Sequence, residues 1–158
     1  MPPSEDAAAA ALLRQQRWAA LASLGRDGRP LASMVAYAAE PDLSAFYLHL
    51  SRLAAHTGNL LATPEASLAI SVPDPGSGDP QTLARVTVHG RFEEVPRGGE
   101  EYQRGRHRYL KRLPDAEPLF EFTDFVLFRF LPEQARFVGG FGRAVTLSAA
   151  RLRRPGAT

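Results

Sequence analysis

Short apolar runs separated by clusters of Gly, Pro and Asp give this chain the punctuation of a strand-rich protein. Residues 18–24 are apolar and small. Gly25-Arg26-Asp27-Gly28-Arg29-Pro30 then supplies an Asp-Gly step beside a second glycine, so a tight hairpin is predicted. Its return strand runs over 31–39, Glu40-Pro41-Asp42 ends it, and a third strand follows at 45–50 around the strand-prone Phe46-Tyr47-Leu48. Leu53, Ala54, Leu60 and Leu61 fall at helical spacing, which predicts a short helix near 52–62 with Ser51 as its N-cap and Pro64 as its stop. Alternation over 66–72 makes a fourth strand, and 73–80, crowded with Pro, Gly and Asp, is a loop. A long strand over 82–95 is expected to bend at Gly90. A helix fits 98–113, although Gly105 weakens its interior by about 1 kcal/mol relative to Ala. Residues 125–130 make a sixth strand, Pro132-Glu133 turns it, and 135–138 begin a last strand that 145–147 prolong. Six or seven strands in meander order, with short helices at their ends, predict a mainly β, α+β fold: a closed or nearly closed antiparallel barrel. Residues 7–16 form helix readily but carry little to bury, so 1–11 are expected to be an N-terminal arm, flexible or helical.

At 158 residues the chain has room for one core, and a single domain over 1–158 is predicted. Hydrophobic residues at 44% and charged residues at 23% argue against disorder. The absence of Cys removes disulfides, thiolate zinc sites, iron–sulfur clusters and thiol nucleophiles together. Glu5 and Asp6 stand where a secretory signal would carry Lys or Arg, and every long apolar stretch is broken by Arg, His or Pro. The expectation is therefore cytoplasmic, with no membrane span. Net charge is only +2, but arginines cluster at 104–112 and 151–154, which invites an anionic ligand. Glu93, Glu94, Glu100 and Glu101 precede the first cluster and make it a solvated helix face, so no nucleic-acid partner is predicted.

His49, His56, His89 and His107 show no helical metal-ligand spacing, and no metal site is predicted. There is no Gly-x-Ser-x-Gly elbow, no Gly-x-Gly-x-x-Gly fingerprint and no phosphate-loop motif. One constellation stands out. Ser51, Arg52, His56, Thr57 and Asn59 gather hydrogen-bond donors about a predicted helix start, where backbone N–H groups and the macrodipole favour an anion. The plain alternative is a capped surface helix.

The block running from Phe46-Tyr47-Leu48-His49-Leu50 through Ser51-Arg52-Leu53-Ala54-Ala55-His56-Thr57-Gly58-Asn59 to Leu68 resembles the pyridoxamine 5'-phosphate oxidase-like FMN-binding split barrels. Within that family it looks closest to the haem-utilisation (HugZ-type) branch, without the C-terminal extension typical of that branch. Further support comes from 21–30 with Ser33 after it, from Ala84-Arg85-Val86-Thr87-Val88-His89-Gly90-Arg91, and from Phe137-Val138-Gly139-Gly140-Phe141-Gly142-Arg143-Ala144. The resemblance implies an FMN-dependent oxidoreductase acting on a small molecule, a homodimer with flavin sites at the subunit interface. Ala32, Ser33, Met34 and Val35 would line the flavin edge, Ser51, Arg52, His56 and Thr57 would hold its phosphate, and Arg85 would take the place of a flavin-contacting Gln. His56 and Ala55 replace the oxidases' phosphate-clamping Lys and Arg, and the C-terminal Trp and Arg-x-His motif are missing, which disfavours vitamin B6 oxidation. The HugZ-type branch implies haem binding or haem breakdown instead, with His49, His89 and His107 as axial-ligand candidates. A non-catalytic flavin-binding module is the remaining reading.

Overall fold

The computed structural model describes residues 1–140 and 142–156, so Phe141 of the glycine-rich segment lies outside the described residues. The predicted hairpin forms from β1 (Trp18–Leu24) and β2 (Pro30–Ala36). Its reversal rests on Gly28, whose φ of 80° belongs to the left-handed region that glycine enters without strain. The return strand stops earlier than expected because Tyr37 turns inward. Its N–H donates to Arg17 O and its hydroxyl to Leu13 O, leaving only Ala38–Ala39 as β3.

β4 (Phe46–Ser51), β5 (Glu65–Ser71), β6 (Arg85–Glu94), β7 (Phe125–Val138) and β8 (Ala144–Ser148) complete one antiparallel sheet of eight strands. Its order is β2-β1-β5-β6-β7-β4-β3, with β8 on the free stretch of β7. The mainly β, antiparallel fold with short helices is as expected, but the sheet is a half-barrel of eight strands where a nearly closed barrel of six or seven was predicted, and it is not a meander. Helix α2 (Ala55–Ala62) carries the chain from β4 to β5, so β5 pairs with β1 and β4 with β7.

Pro132 does not turn β7, which runs on for 14 residues. The ladder slips between His89 and Gly90, bringing Gly90 opposite Pro132. A β-bulge of this kind accommodates a residue that has no N–H to donate. On the other edge of β7, β4 ends at Phe130 and β8 begins at Gln134, so the proline sits in the gap between two partners. Gly90 is needed at this crossing: a Cβ there would lie 2.2 Å from Leu131 O.

Helix α1 (Glu5–Gln15) overturns the expectation of an arm with little to bury. Ala9, Ala10, Leu12 and Leu13 are buried in the main core with Leu21, Phe46, Leu68 and Phe130. Small alanines let the helix approach the strands closely. Asp6, nearly inaccessible, accepts hydrogen bonds from Ala7 N and Gly156 N and pairs with Arg151, tying α1 to α4 (Ala149–Arg153). The Ser4 hydroxyl foremost, then the Gly156 amide, hold the Asp6 carboxyl down to about 2. Because its folded value lies below the ordinary 3.8, this clasp is at full strength above that pH and is lost as pH falls towards 2.

Helix α3 (Glu100–Arg112) and the 3-10 segment Pro114–Glu121 cover the opposite face of β4 and β7. Gly105 is where α3 docks, since a Cβ there would come within 2.8 Å of the Tyr47 ring. Arg104, His107, Lys111 and Arg112 face solvent as expected, while Arg104 and Arg108 also grip the buried Glu40, at 3.3 and 3.2 Å.

Candidate functional site

The donors predicted at the start of α2 only partly converge. The helix begins at Ala55 with Ala54 as its N-cap, so Ser51 does not cap it. Instead Ser51 Oγ accepts from Leu53 N in the turn before the helix. Arg52 lies outside the first helical turn and pairs with Glu94 at 2.9 Å, which offsets the charge it would offer a phosphate. His56 and Thr57 do lie in that first turn. His56 is half-buried, and burial lowers its pKa below the ordinary 6.5. Thr57 is fully buried and its Oγ1 has no hydrogen-bond partner.

Ala32, Ser33, Met34 and Val35 lie on β2, the terminal strand of the sheet, which pairs with β1 alone. One edge of its backbone therefore carries unpaired N–H and C=O groups. Ala32 and Met34 point outward and exposed, whereas Val35 is buried in the core. Arg85 stands at the far end of β5 and β6 from α2. It pairs with Ser71, while Glu65 at the α2 end pairs with Arg91, a separation of roughly 20 Å of strand. Its guanidinium is tied to Gln81 O and Leu83 O. Within one protomer the expected residues thus line an edge and two ends of the sheet.

The outer face of the sheet collects the groups best placed to meet a ligand. Read across the strands, one row is Ala32, Ala22, Ser67, His89 and Gln134, and the next is Met34, Ala20, Ala69, Thr87 and Arg136. Trp18, Leu24 and Met34 are the large apolar side chains exposed there, and Arg85, Arg91 and Arg136 lie on the same face. His89 is exposed, and its Nδ1 lies 3.1 Å from Ser67 Oγ on the neighbouring strand. Among the described residues no three metal-binding side chains of the His, Asp and Glu type cluster.

The feature that sequence reasoning missed is the setting of His49. Strand β4 is buried on both faces: Phe46 and Leu48 enter the main core, while Tyr47 and His49 face α3 and the 3-10 segment. The His49 ring stacks on Phe120 at 3.8 Å and 1° and also meets Phe125 and Tyr109. Neither ring nitrogen has a hydrogen-bond partner. Burial, with Arg97 adding to it, pushes its pKa down to about 4. Walled in by aromatics, His49 is not open to an external ligand. Phe46-Tyr47-Leu48-His49-Leu50, apolar at every position but one, was the available sign of a strand covered on both sides.

A half-barrel sheet with helices at its ends and an exposed, ligand-capable outer face defines a split-barrel protein. The CREG β-barrel family matches residues 2–151, and the chain belongs to that family. It is 36% identical over 118 residues to haem oxygenase HOZ of the Arabidopsis thaliana chloroplast, covering 75% of this chain and 34% of that protein. It is 27% identical over 133 residues to the haem oxygenase HutZ of Vibrio cholerae, covering 84% of this chain and 74% of that one. A solved haem-binding protein from Mycobacterium smegmatis superposes with a TM-score of 0.87 at 30% identity, over 97% of this chain and 61% of that one. The chain thus spans about a third of the plant relative's length and under two thirds of the mycobacterial one. Structures 18–22% identical share the split-barrel fold alone. Among the described residues no helix is long and apolar enough to cross a membrane.

Proposed function

We propose that this chain is a haem-binding protein of the haem-oxygenase type, taking haem on the outer face of the sheet. The observation that carries the reading is the chemistry of that face: an accessible imidazole among small side chains, with Arg85, Arg91 and Arg136 to meet carboxylates. The relatives named for haem supply independent support. Haem would be the substrate, and its iron would activate dioxygen with electrons from an external reductant. The chain's part is to bind the ring, orient it and neutralise its acid groups. Trp18, Leu24 and Met34, exposed on the same face, would be covered by a second copy, giving a homodimer with its sites at the interface.

Titrating the purified protein with haemin tests this reading. A saturable Soret shift at one haem per protomer is expected, and sedimentation should report a dimer. An unchanged Soret band at stoichiometric haemin overturns it.

Flavin binding is the second reading, favoured by the unpaired backbone edge of β2 and by the orphaned Thr57 hydroxyl in the first turn of α2. In that reading Ala32, Ser33, Met34 and Val35 flank the ring while Ser51, Arg52, His56 and Thr57 meet the phosphate. FMN fluorescence, measured in a parallel titration, separates the two: quenching by the protein at micromolar FMN supports flavin, and its absence removes it.

A further inference from the structure

The arginine clusters at 104–112 and 151–154 stand far apart in the chain, and haem binding on the sheet uses neither. The fold brings them together around residues 40–42. Arg104 and Arg108 of α3 hold Glu40, and Arg153 of α4 lies 3.7 Å from Asp42, with Arg154 bordering the same hollow. Between the two clusters, Arg14 of α1 donates to Pro41 O at 2.8 Å, and Arg112 donates to Gln15 O at the end of α1. One continuous surface thus joins α1, α3 and α4.

Its charge is poorly compensated. Arg14 and Arg112 are held by neutral carbonyls, while Lys111 and Arg154, both exposed, have no hydrogen-bond or ion-pair partner among the described residues. The acids that pair with this surface are Glu40, which is buried, and Asp42. A chain whose net charge is only +2 therefore gathers a cationic excess on one side, the condition for steering an anionic partner.

What accompanies the charges narrows the partner. None of the exposed large apolar side chains belongs to α1, α3, α4 or residues 40–42, and all four tyrosines are buried. The surface has nothing to stack on a base or to enter a bilayer. Asp42, exposed at its centre, would oppose a continuous row of phosphates. An acidic protein face meets neither objection. Position and chemistry add a reason: opening haem with dioxygen consumes electrons from outside, and this surface ends at the rim of the face proposed for haem. Arg112 reaches Gln15, and Trp18, exposed on that face, follows three residues on.

We propose that the surface formed by α1, α3, α4 and residues 40–42 docks a small acidic one-electron carrier protein that reduces haem on the adjoining sheet face. Docking follows from the charges alone; the electron-transfer role rests on the haem reading above. The step moves one electron: the carrier's centre is oxidised, ferric haem iron is reduced, and no bond or proton moves.

The test uses the full chain with an acidic plant-type [2Fe–2S] ferredoxin as the carrier, and compares wild type, the double variant Lys111→Glu/Arg154→Glu, and Arg26→Glu at the distant β1–β2 reversal. Neither Lys111 nor Arg154 has a partner to lose, so the double variant should fold and take up haemin as wild type does. Calorimetry without haem should show wild type and Arg26→Glu binding the carrier alike, and weakening at least about tenfold between roughly 30 and 300 mM salt. The double variant should bind at least about tenfold more weakly at low salt. With haemin bound, reduction by the reduced carrier should slow by a similar factor in the double variant, while reduction by dithionite stays unchanged. No salt-dependent binding by wild type, or a double variant that binds as tightly as wild type, overturns the docking surface and leaves the haem reading standing. Tighter binding of a random DNA duplex or of phosphatidylglycerol vesicles than of the carrier also overturns it. A wild type that binds the carrier but takes up no haemin overturns the electron-transfer role together with the haem reading.

Discussion

Gly90→Ala is expected to destabilise the protein by about 3 kcal/mol, although it adds a single methyl group. The new Cβ would stand 2.2 Å from Leu131 O and 2.8 Å from the Phe130 ring, and neither can retreat. Leu131 O is backbone at the bulge, and Phe130 is fully buried against Phe46 and Phe92. Opening the crossing would separate β6 from β7, the most extensively paired strands of the sheet. Urea denaturation should show a lower midpoint at unchanged slope. A loss below about 0.5 kcal/mol would mean that the bulge is soft and that Gly90 holds nothing together.

The second large effect is acid sensitivity through His49. Its folded pKa of about 4 lies below the ordinary 6.5, so the unfolded chain takes up the proton first as pH falls. The stabilisation tied to the neutral ring is complete above 6.5 and is lost as pH falls towards about 4, at a total cost of about 3 kcal/mol. His49→Phe should remove most of that dependence, because a phenyl ring suits the slot formed by Phe120, Phe125 and Tyr109. The half-buried His56, shifted in the same direction, leaves a smaller residual slope. Denaturation midpoints measured between pH 7 and pH 4 decide the matter: parallel curves for wild type and variant would refute the assignment to His49.

Local chemistry made much of this fold legible. The Asp-Gly reversal, the alternating strands and the helices at α2 and α3 all follow from residues close together in the chain. What escaped prediction depends on partners far away. An alanine-rich stretch looks as though it has nothing to bury, yet Ala9 and Ala10 matter because strands of the half-barrel accept them closely. Pro132 reads as a turn until Gly90, more than forty positions earlier, is placed opposite it. The site was legible in the same uneven way. Donors around Ser51 and Thr57 were visible as a string, but the Glu94 carboxylate that pairs with Arg52 comes from another strand. The Ser67 and His89 pair arises from strand register, which neither residue's neighbours disclose.

The same outer face carries its own optical reporter. Trp18, the chain's lone tryptophan, is 57% exposed on β1, two strands away from His89 and within roughly 20 Å of it. Its emission therefore belongs to a solvent-facing indole at the rim of the proposed site, uncontaminated by any other tryptophan. A bound porphyrin at that range would drain the excited state by energy transfer, and a subunit closing over the face would shift the emission to shorter wavelength. Ligand capture and dimer formation thus acquire separate colours in one unlabelled protein.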